Sequence, residues 1–169
     1  MKIHIIGGSG TGKSYVSGKI SGKFNIPHYD LDNIFWDSEA DRYGVKMPIE
    51  KRTDKLNSIL KNSNWVIEGV YYSWLNDSFS TADYIFILNS PVTVYRYRII
   101  KRFLKRKIGF EKGKKETLKS LTDLIKWTDD YQKNKMPLIL GFLEPYKEKI
   151  ILLEKANDIF NYIKETSLE

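Results

Sequence analysis

The 169-residue sequence has no cysteine. That excludes a disulfide framework and a thiolate metal site, so any metal must be held by oxygen ligands or by the two histidines. A reducing, cytoplasmic setting fits this usage. Long hydrophobic runs are also missing. The apolar stretch at Ile3 to Ile6 is stopped by glycines far short of a signal core or a membrane span. Acidic residues are the minority charge, 21 Asp and Glu against 28 Lys and Arg, which leaves a net charge of +7. Much of the excess lies between Arg96 and Lys119, a patch that seeks phosphate without specifying nucleic acid. There is no internal repeat or low-complexity segment. With 41% apolar residues, the length suits a single compact domain over 1–169 around one sizeable core.

Five short apolar runs read as strands. Ile3-His4-Ile5-Ile6 is the first, Pro27 to Asp32 a second extended stretch, and Trp65-Val66-Ile67-Glu68, ended by Gly69, the third. Tyr84 to Leu88 and Ile150 to Leu153 complete the set. Helical spacing predicts helices over Gly12 to Phe24, Thr53 to Lys61, and Val92 to Arg106 after Pro91. Two more follow, from about Glu116 to Lys133 ahead of Pro137, with Leu118, Leu121, Leu124, Ile125 and Tyr131 mainly on one face, and from about Asn157 to Lys164. Parallel neighbours need crossover connections, so strands alternating with helices predict an α/β fold of three layers around a five-stranded parallel sheet.

Between the first strand and the first helix stands Gly7-Gly8-Ser9-Gly10-Thr11-Gly12-Lys13-Ser14, which matches G-x-x-x-x-G-K-[ST] at every fixed position. Backbone N–H groups of Gly10 to Lys13 are expected to converge on a β-phosphate at the helix N-terminus. Lys13 reaches the β and γ oxygens, and Ser14 ligates Mg²⁺. The motif therefore predicts binding of a nucleoside triphosphate, ATP with Mg²⁺.

In a parallel sheet, ligands sit beyond the carboxyl ends of the strands. Asp30, Asp32 and Glu68 occupy those ends. The i, i+2 spacing of Asp30 and Asp32 places both carboxylates on one side of an extended chain. Asp32 is the expected acceptor of the attacking hydroxyl's proton, with Asp30 assisting through a metal-bound water. Simple capping or surface charge is the alternative. Glu68 ends an apolar strand as the acidic residue of a Walker B element does, and is expected to hold Mg²⁺ through water; a plain charge at a strand end is the competing reading.

Arg96, Arg98, Arg102 and Arg106 lie on one predicted helix, and the last three recur every four residues on one face. Like charges stacked that way repel, so a triphosphate facing them accounts for the stripe; a solvated surface face is the alternative. The lysine- and glycine-rich segment from Lys105 to Lys115 reads as a lid closing over ATP.

With these residues assembled, the chain resembles small P-loop kinases such as adenylate kinase and shikimate kinase, and most closely the DNA topology modulation protein (FlaR-like) family. The carriers are Ile6 to Ser14, His28-Tyr29-Asp30-Leu31-Asp32 with Trp36, Trp65 to Tyr71, and Ala82-Asp83. The resemblance implies strand order 2-3-1-4-5, a substrate-side helical segment at about 37–61 and a lid at about 105–116. Pro91, Arg98 and Arg102 keep the spacing by which adenylate kinases place arginines on adenine and phosphates, so Arg98 and Arg102 are implied as nucleotide contacts, and Arg102 as a catalytic residue too. Arg42 and Arg52 are implied to meet a substrate anion. The third strand ends in Glu-Gly rather than Asp-Gly, and the signature Asp-Gly-Phe-Pro-Arg is absent, which argues against AMP as acceptor.

Tyr71, Tyr72, Trp74 and Trp127 are able to line a pocket for a ring-shaped acceptor, although most such residues serve as core. His4 reads as a satisfied buried histidine and His28 as a hydrogen-bonding neighbour of the second strand. The expected activity is transfer of the γ-phosphate of ATP to a small hydroxyl or phosphate acceptor. The rival is an ATP-binding regulatory or DNA-associated protein with weak ATPase activity, although no recognisable nucleic-acid module is present.

Overall fold

The structure, a computed structural model, describes residues 1–42, 44–110 and 117–166. Strands β1 (Lys2–Gly7), β2 (His28–Asp30), β3 (Trp65–Gly69), β4 (Tyr84–Leu88) and β5 (Ile150–Leu153) form one sheet in the order β2-β3-β1-β4-β5. Every pairing is parallel. The helices are α1 (Lys13–Phe24), α2 (Asp32–Phe35), α3 (Ile49–Leu60), α4 (Asn76–Thr81), α5 (Val92–Lys107), α6 (Leu118–Asp130), α7 (Met136–Phe142) and α8 (Ile159–Thr166). This is the expected three-layer P-loop α/β fold.

The period of two along each strand divides the apolar residues between two cores. Ile6, Ile67, Ile85 and Ile87 face a cluster closed by Leu56 and Ile59 of α3, Phe79 of α4 and Ile139 of α7. Ile3, Ile5, Val66, Phe86 and Leu88 face the other, closed by Val16 and Ile20 of α1 and by Ile159 and Ile163 of α8. Burying each such side chain stabilises the fold by roughly 1.5–3 kcal/mol. Both faces of the sheet are therefore covered, which is why the strands read as unbroken apolar runs. The order places β1 between β3 and β4, so the chain leaves Gly7 at a point where the strand order reverses, the usual seat of a ligand.

Several expectations are corrected. The second strand stops at Asp30, because Leu31 turns into helical geometry (φ −63°, ψ −22°) and its N–H bonds to Glu68 O at 2.9 Å. The turn seats Leu31, fully buried, directly over Gly69, where any added Cβ would lie 2.8 Å from it. Asp30 and Asp32 therefore do not share an extended chain. Among the described residues of the segment 37–61, helix is confined to α3, and Trp36 bridges Lys46 in antiparallel fashion.

Pro137 does not end the helix before it. After α6 the chain winds through a π-helical turn at Tyr131–Lys135 and continues as α7. Pro137 falls in the first turn of α7, and the wider winding carries the chain past a residue that lacks a donor. The expected apolar face of α6 is only partly used, since Tyr131 is buried but Leu118 is two-thirds exposed. The expected lid at 105–116 is helical through Lys107, and its residues 111–116 lie outside the described residues. Among the described residues no helix is long and apolar enough to cross a membrane.

Candidate active site

The loop after β1 is shaped by glycine where a side chain does not fit. Gly10 and Gly12 have φ of 76° and 99°, in the left-handed region. A Cβ at Gly10 would stand 2.7 Å from Tyr95 O on α5, and one at Gly7 would stand 2.9 Å from Leu88 O on β4. Thr11 is buried and its hydroxyl donates to Gly8 O at 2.8 Å, closing the loop on itself. Helix α1 then begins with no side-chain cap and no acidic residue in its first turn. Its leading N–H groups and the positive end of its dipole are thus directed at whatever lies in the loop, which is an anion cradle.

Lys13 is buried at the mouth of this cradle, and its Nζ donates to Gly8 O at 3.0 Å. Burial pulls its pKa down, while the carboxylates of Glu68, Asp30 and Asp32 oppose that pull and the Arg102 guanidinium adds to it. The lysine therefore sits amid the three carboxylates singled out from the sequence. Asp30 and Glu68 are register partners on β2 and β3. Asp32 opens α2, and its N–H bonds back to Asp30 Oδ1 at 2.9 Å. The turn at Leu31 thus gathers the two aspartates in place of the extended geometry the spacing suggested. Burial, then the neighbouring Glu68 carboxylate, pushes the Asp30 pKa up.

Glu68 is almost wholly buried. Burial alone would raise its pKa, but His28, Lys13 and the Ser14 hydroxyl outweigh that and hold it below the usual range, so it is a carboxylate. His28 Nε2 lies 3.7 Å from Glu68 Oε1. That oxygen is buried without a hydrogen-bond partner. An ionised acceptor with unengaged lone pairs beside a P-loop serine fits a hydrated Mg²⁺, which keeps most of its waters and takes few protein ligands. Among the described residues no three His, Asp or Glu side chains gather closely enough to bind a metal by themselves. The residues present thus suit an ion held chiefly by phosphate and water, with Ser14, Asp30 and Glu68 around it.

The arginines of α5 separate. Arg98 Nη1 donates to Thr11 O at 2.9 Å and to Gly10 O at 3.3 Å, and Arg102 Nη2 reaches Ser9 Oγ at 3.5 Å. Both face the loop. Arg96 turns away to Asp129, with Nη2 at 2.5 Å from Oδ2 and Nε at 3.1 Å from Oδ1. Tyr95 joins that carboxylate at 2.6 Å. The pair ties α5 to α6.

Among the described residues two clefts lie near the loop. One, of about 530 Å³, lies between Gly12, Tyr15, Arg98 and the turn Lys155–Asp158 after β5. The sequence reading missed that turn and Tyr15, because nothing in their local pattern marks them; only the topology brings β5 beside β4. The other, of about 220 Å³, lies on the far side of Gly8 and is lined by Tyr71, Tyr72, Trp127 and Tyr131. Gly8 packs beneath this wall, since a Cβ there would stand 3.2 Å from the Tyr131 ring.

Tyr71 joins the second cleft to the carboxylates, because its hydroxyl donates to Asp32 Oδ1 at 2.7 Å. Nearby, the Arg52 guanidinium stacks over Phe35 and Trp74 at 4.7 and 5.6 Å, with its Nε buried and without a partner. Arg42 is exposed. Trp74 packs with Phe35 and Tyr71 and does not line the cleft. His4 is buried as expected, with Nδ1 2.7 Å from Ser78 Oγ, but it is satisfied only there, since Nε2 is buried without a partner. His28, expected only as a hydrogen-bonding neighbour of the second strand, stands beside Glu68. Its i, i−2 relation to Asp30 on β2 was the available signal that it shares that residue's side of the strand.

No protein-family model matches the chain. It is 30% identical over 105 residues to the uncharacterized protein YqaC of Bacillus subtilis, a match spanning 62% of this chain and 57% of that one. Its structure is similar to shikimate kinase from Acinetobacter baumannii in complex with shikimate. That match has a TM-score of 0.63 at 16% identity over 99% of this chain and 95% of the other. A gluconokinase from Sinorhizobium meliloti matches with a TM-score of 0.50 at 16% identity, over 90% of this chain and 81% of that one. At such identities the likeness is one of fold: this is a P-loop kinase-like architecture.

Proposed function

We propose that the chain is a Mg²⁺-dependent phosphotransferase that moves the γ-phosphoryl group of ATP to a small hydroxyl or phosphate acceptor. The observation that carries this reading is the convergence of a glycine cradle, a buried lysine and three carboxylates at the carboxyl ends of β1, β2 and β3. One of those carboxylates is hydrogen-bonded to the wall of a second cleft. An ATP-binding loop alone needs no second cleft; a transfer enzyme does.

In this reading Gly7, Gly8, Ser9, Gly10, Thr11, Gly12, Lys13 and Ser14 hold the phosphates. Arg98 braces the loop against α5 beside the larger cleft, where an adenine ring has room to stack on its guanidinium plane. Lys13 and Arg102 neutralise charge on the transferred group, and Asp32 takes the proton of the attacking hydroxyl. Ser14, Asp30 and Glu68 would hold Mg²⁺, which when bound would supply positive charge against that developing on the phosphate. Arg52, with an unpartnered buried Nε, offers a charged donor to an anionic group on the acceptor. The fold-level likeness to proteins named shikimate kinase and gluconokinase supports the small-molecule kinase reading. The motif resemblance to the DNA topology modulation protein family belongs to this proposal too and leaves the acceptor open.

The test is steady-state ADP release with Lys13→Ala and Asp32→Asn. Asp32→Asn retains ATP binding and loses roughly 10²–10⁴-fold in turnover, the usual worth of a general base. Lys13→Ala removes most turnover. Unchanged turnover in Lys13→Ala would sink the assignment, and slow hydrolysis accelerated by DNA alone would favour a regulatory ATPase.

A further inference from the structure

The 220 Å³ cleft beside Gly8 differs in kind from the rest of the site. Its walls are the flat rings of Tyr71, Tyr72, Trp127 and Tyr131, with Asp130 and Lys135 adding charge. Both walls are fixed in advance. Tyr71 stacks on Phe35 at 4.3 Å with an interplanar angle of 20°, and its hydroxyl is pinned to Asp32. Tyr131 donates to Val70 O at 3.1 Å and stacks with Trp127 at 5.3 Å and 30°. The π-helical turn Tyr131–Lys135 interrupts the α6–α7 rod in this wall, a feature that recurs at functional sites.

We propose that the phosphoryl acceptor is a planar-ring alcohol, with its ring seated between Tyr71 and Trp127 and its hydroxyl presented to Asp32. This rests on the phosphotransferase reading above. Aromatic walls offer stacking and dispersion but few hydrogen-bond partners. A flexible polyol entering them leaves hydroxyls desolvated and unpaired, whereas a planar ring with one reacting hydroxyl does not. Tyr71 is at once the cleft wall and the donor to Asp32, so a ring against it lies beside the base. Polar atoms on the edge of a heteroaromatic ring have Asp130 and Lys135 to meet. In the transfer, the acceptor oxygen forms a bond to Pγ and the bond from Pγ to the β,γ-bridging oxygen breaks. Its electron pair leaves with ADP, and the hydroxyl proton passes to Asp32.

The experiment compares Mg-ATP-dependent phosphorylation of two acceptor sets, nucleosides and hydroxymethyl-substituted heteroaromatics against aliphatic polyols and sugar acids, with wild type, Trp127→Leu and Trp127→Phe. A ring alcohol is expected to be phosphorylated. Trp127→Leu should raise its KM about tenfold or more, as loss of one stacking contact does, with the ATP affinity unchanged and Trp127→Phe restoring most of the loss. Phosphorylation of an aliphatic polyol, indifferent to Trp127→Leu, overturns this inference and leaves the phosphotransferase reading standing. Transfer to neither set, with ATP loss equal in wild type and Asp32→Asn, removes the phosphotransferase reading itself.

Discussion

The Tyr71 hydroxyl donates to Asp32 Oδ1 at 2.7 Å, which couples the segment after β3 to the first residue of α2. Burial, reinforced by that carboxylate, holds the phenol's pKa well above the ordinary tyrosine range, so the group remains a donor at any working pH. Asp32 is thereby oriented through one oxygen, which in the proposed phosphotransfer leaves the other to take the substrate proton.

Tyr71→Phe removes the hydroxyl and keeps the ring that stacks on Phe35. A hydrogen bond to a charged group is worth roughly 1.5–3 kcal/mol, so kcat should fall about tenfold or more while ATP affinity is unchanged. Single-turnover transfer together with a nucleotide titration checks this, and an unaltered kcat would mean that Asp32 is positioned without Tyr71.

Gly10→Ala places a Cβ against Tyr95 O at 2.7 Å in a residue whose φ is 76°. Left-handed strain of about 1–3 kcal/mol plus the clash must open the loop away from α5. The expected result is strong loss of ATP binding with the far-ultraviolet circular dichroism retained. Gly18→Ala, on the exposed face of α1 with open space around it, serves as the control and should bind normally.

The two neighbouring arginines should behave differently. Arg98→Ala removes donors to Thr11 O and Gly10 O and should weaken nucleotide binding about tenfold or more. Arg96→Ala breaks a solvent-exposed pair with Asp129 and should leave both the nucleotide affinity and the urea midpoint close to wild type. Isothermal titration and urea unfolding separate the two.

His4 makes stability depend on pH. Its burial pushes the pKa down from 6.5 to about 3. Below pH 6.5 the unfolded chain takes up a proton that the folded chain refuses, so this contribution is fully present above 6.5 and is lost as pH falls toward 3. Between pH 7 and 5 the loss should be about 2 kcal/mol, at 1.36 kcal/mol per pKa unit. Urea midpoints at the two pH values measure it, and His4→Gln should flatten the difference.

Much of the fold was legible because both faces of the sheet are covered. Tyr84–Leu88 and Ile150–Leu153 stand out as apolar runs at their observed bounds, and Pro91 marks the start of α5. The sheet order came from the motif resemblance, and the structure has it. Helices α2 and α4, of four and six residues, are too short for a periodic signal. The Leu31 turn depends on the space above Gly69, a tertiary fact that no local pattern displays. The phosphate loop was plain, since its glycines and lysine are contiguous. Tyr71, Tyr72 and Trp127 were legible as candidate walls for a ring-shaped acceptor, and they do line one cleft; the Lys155–Asp158 turn reaches the other cleft only through packing, which no local pattern displays. The π turn that joins α6 to α7 ahead of Pro137 has no signature in the helical periodicity.

The most direct measurement is a ³¹P magnetic resonance time course of the protein with Mg-ATP and a mixture of the two acceptor sets. A phosphomonoester resonance rising as the γ-phosphate signal falls, present in wild type and absent in Lys13→Ala, is the predicted result. Loss of the γ signal to inorganic phosphate alone, at the same rate in both proteins, would contradict the account.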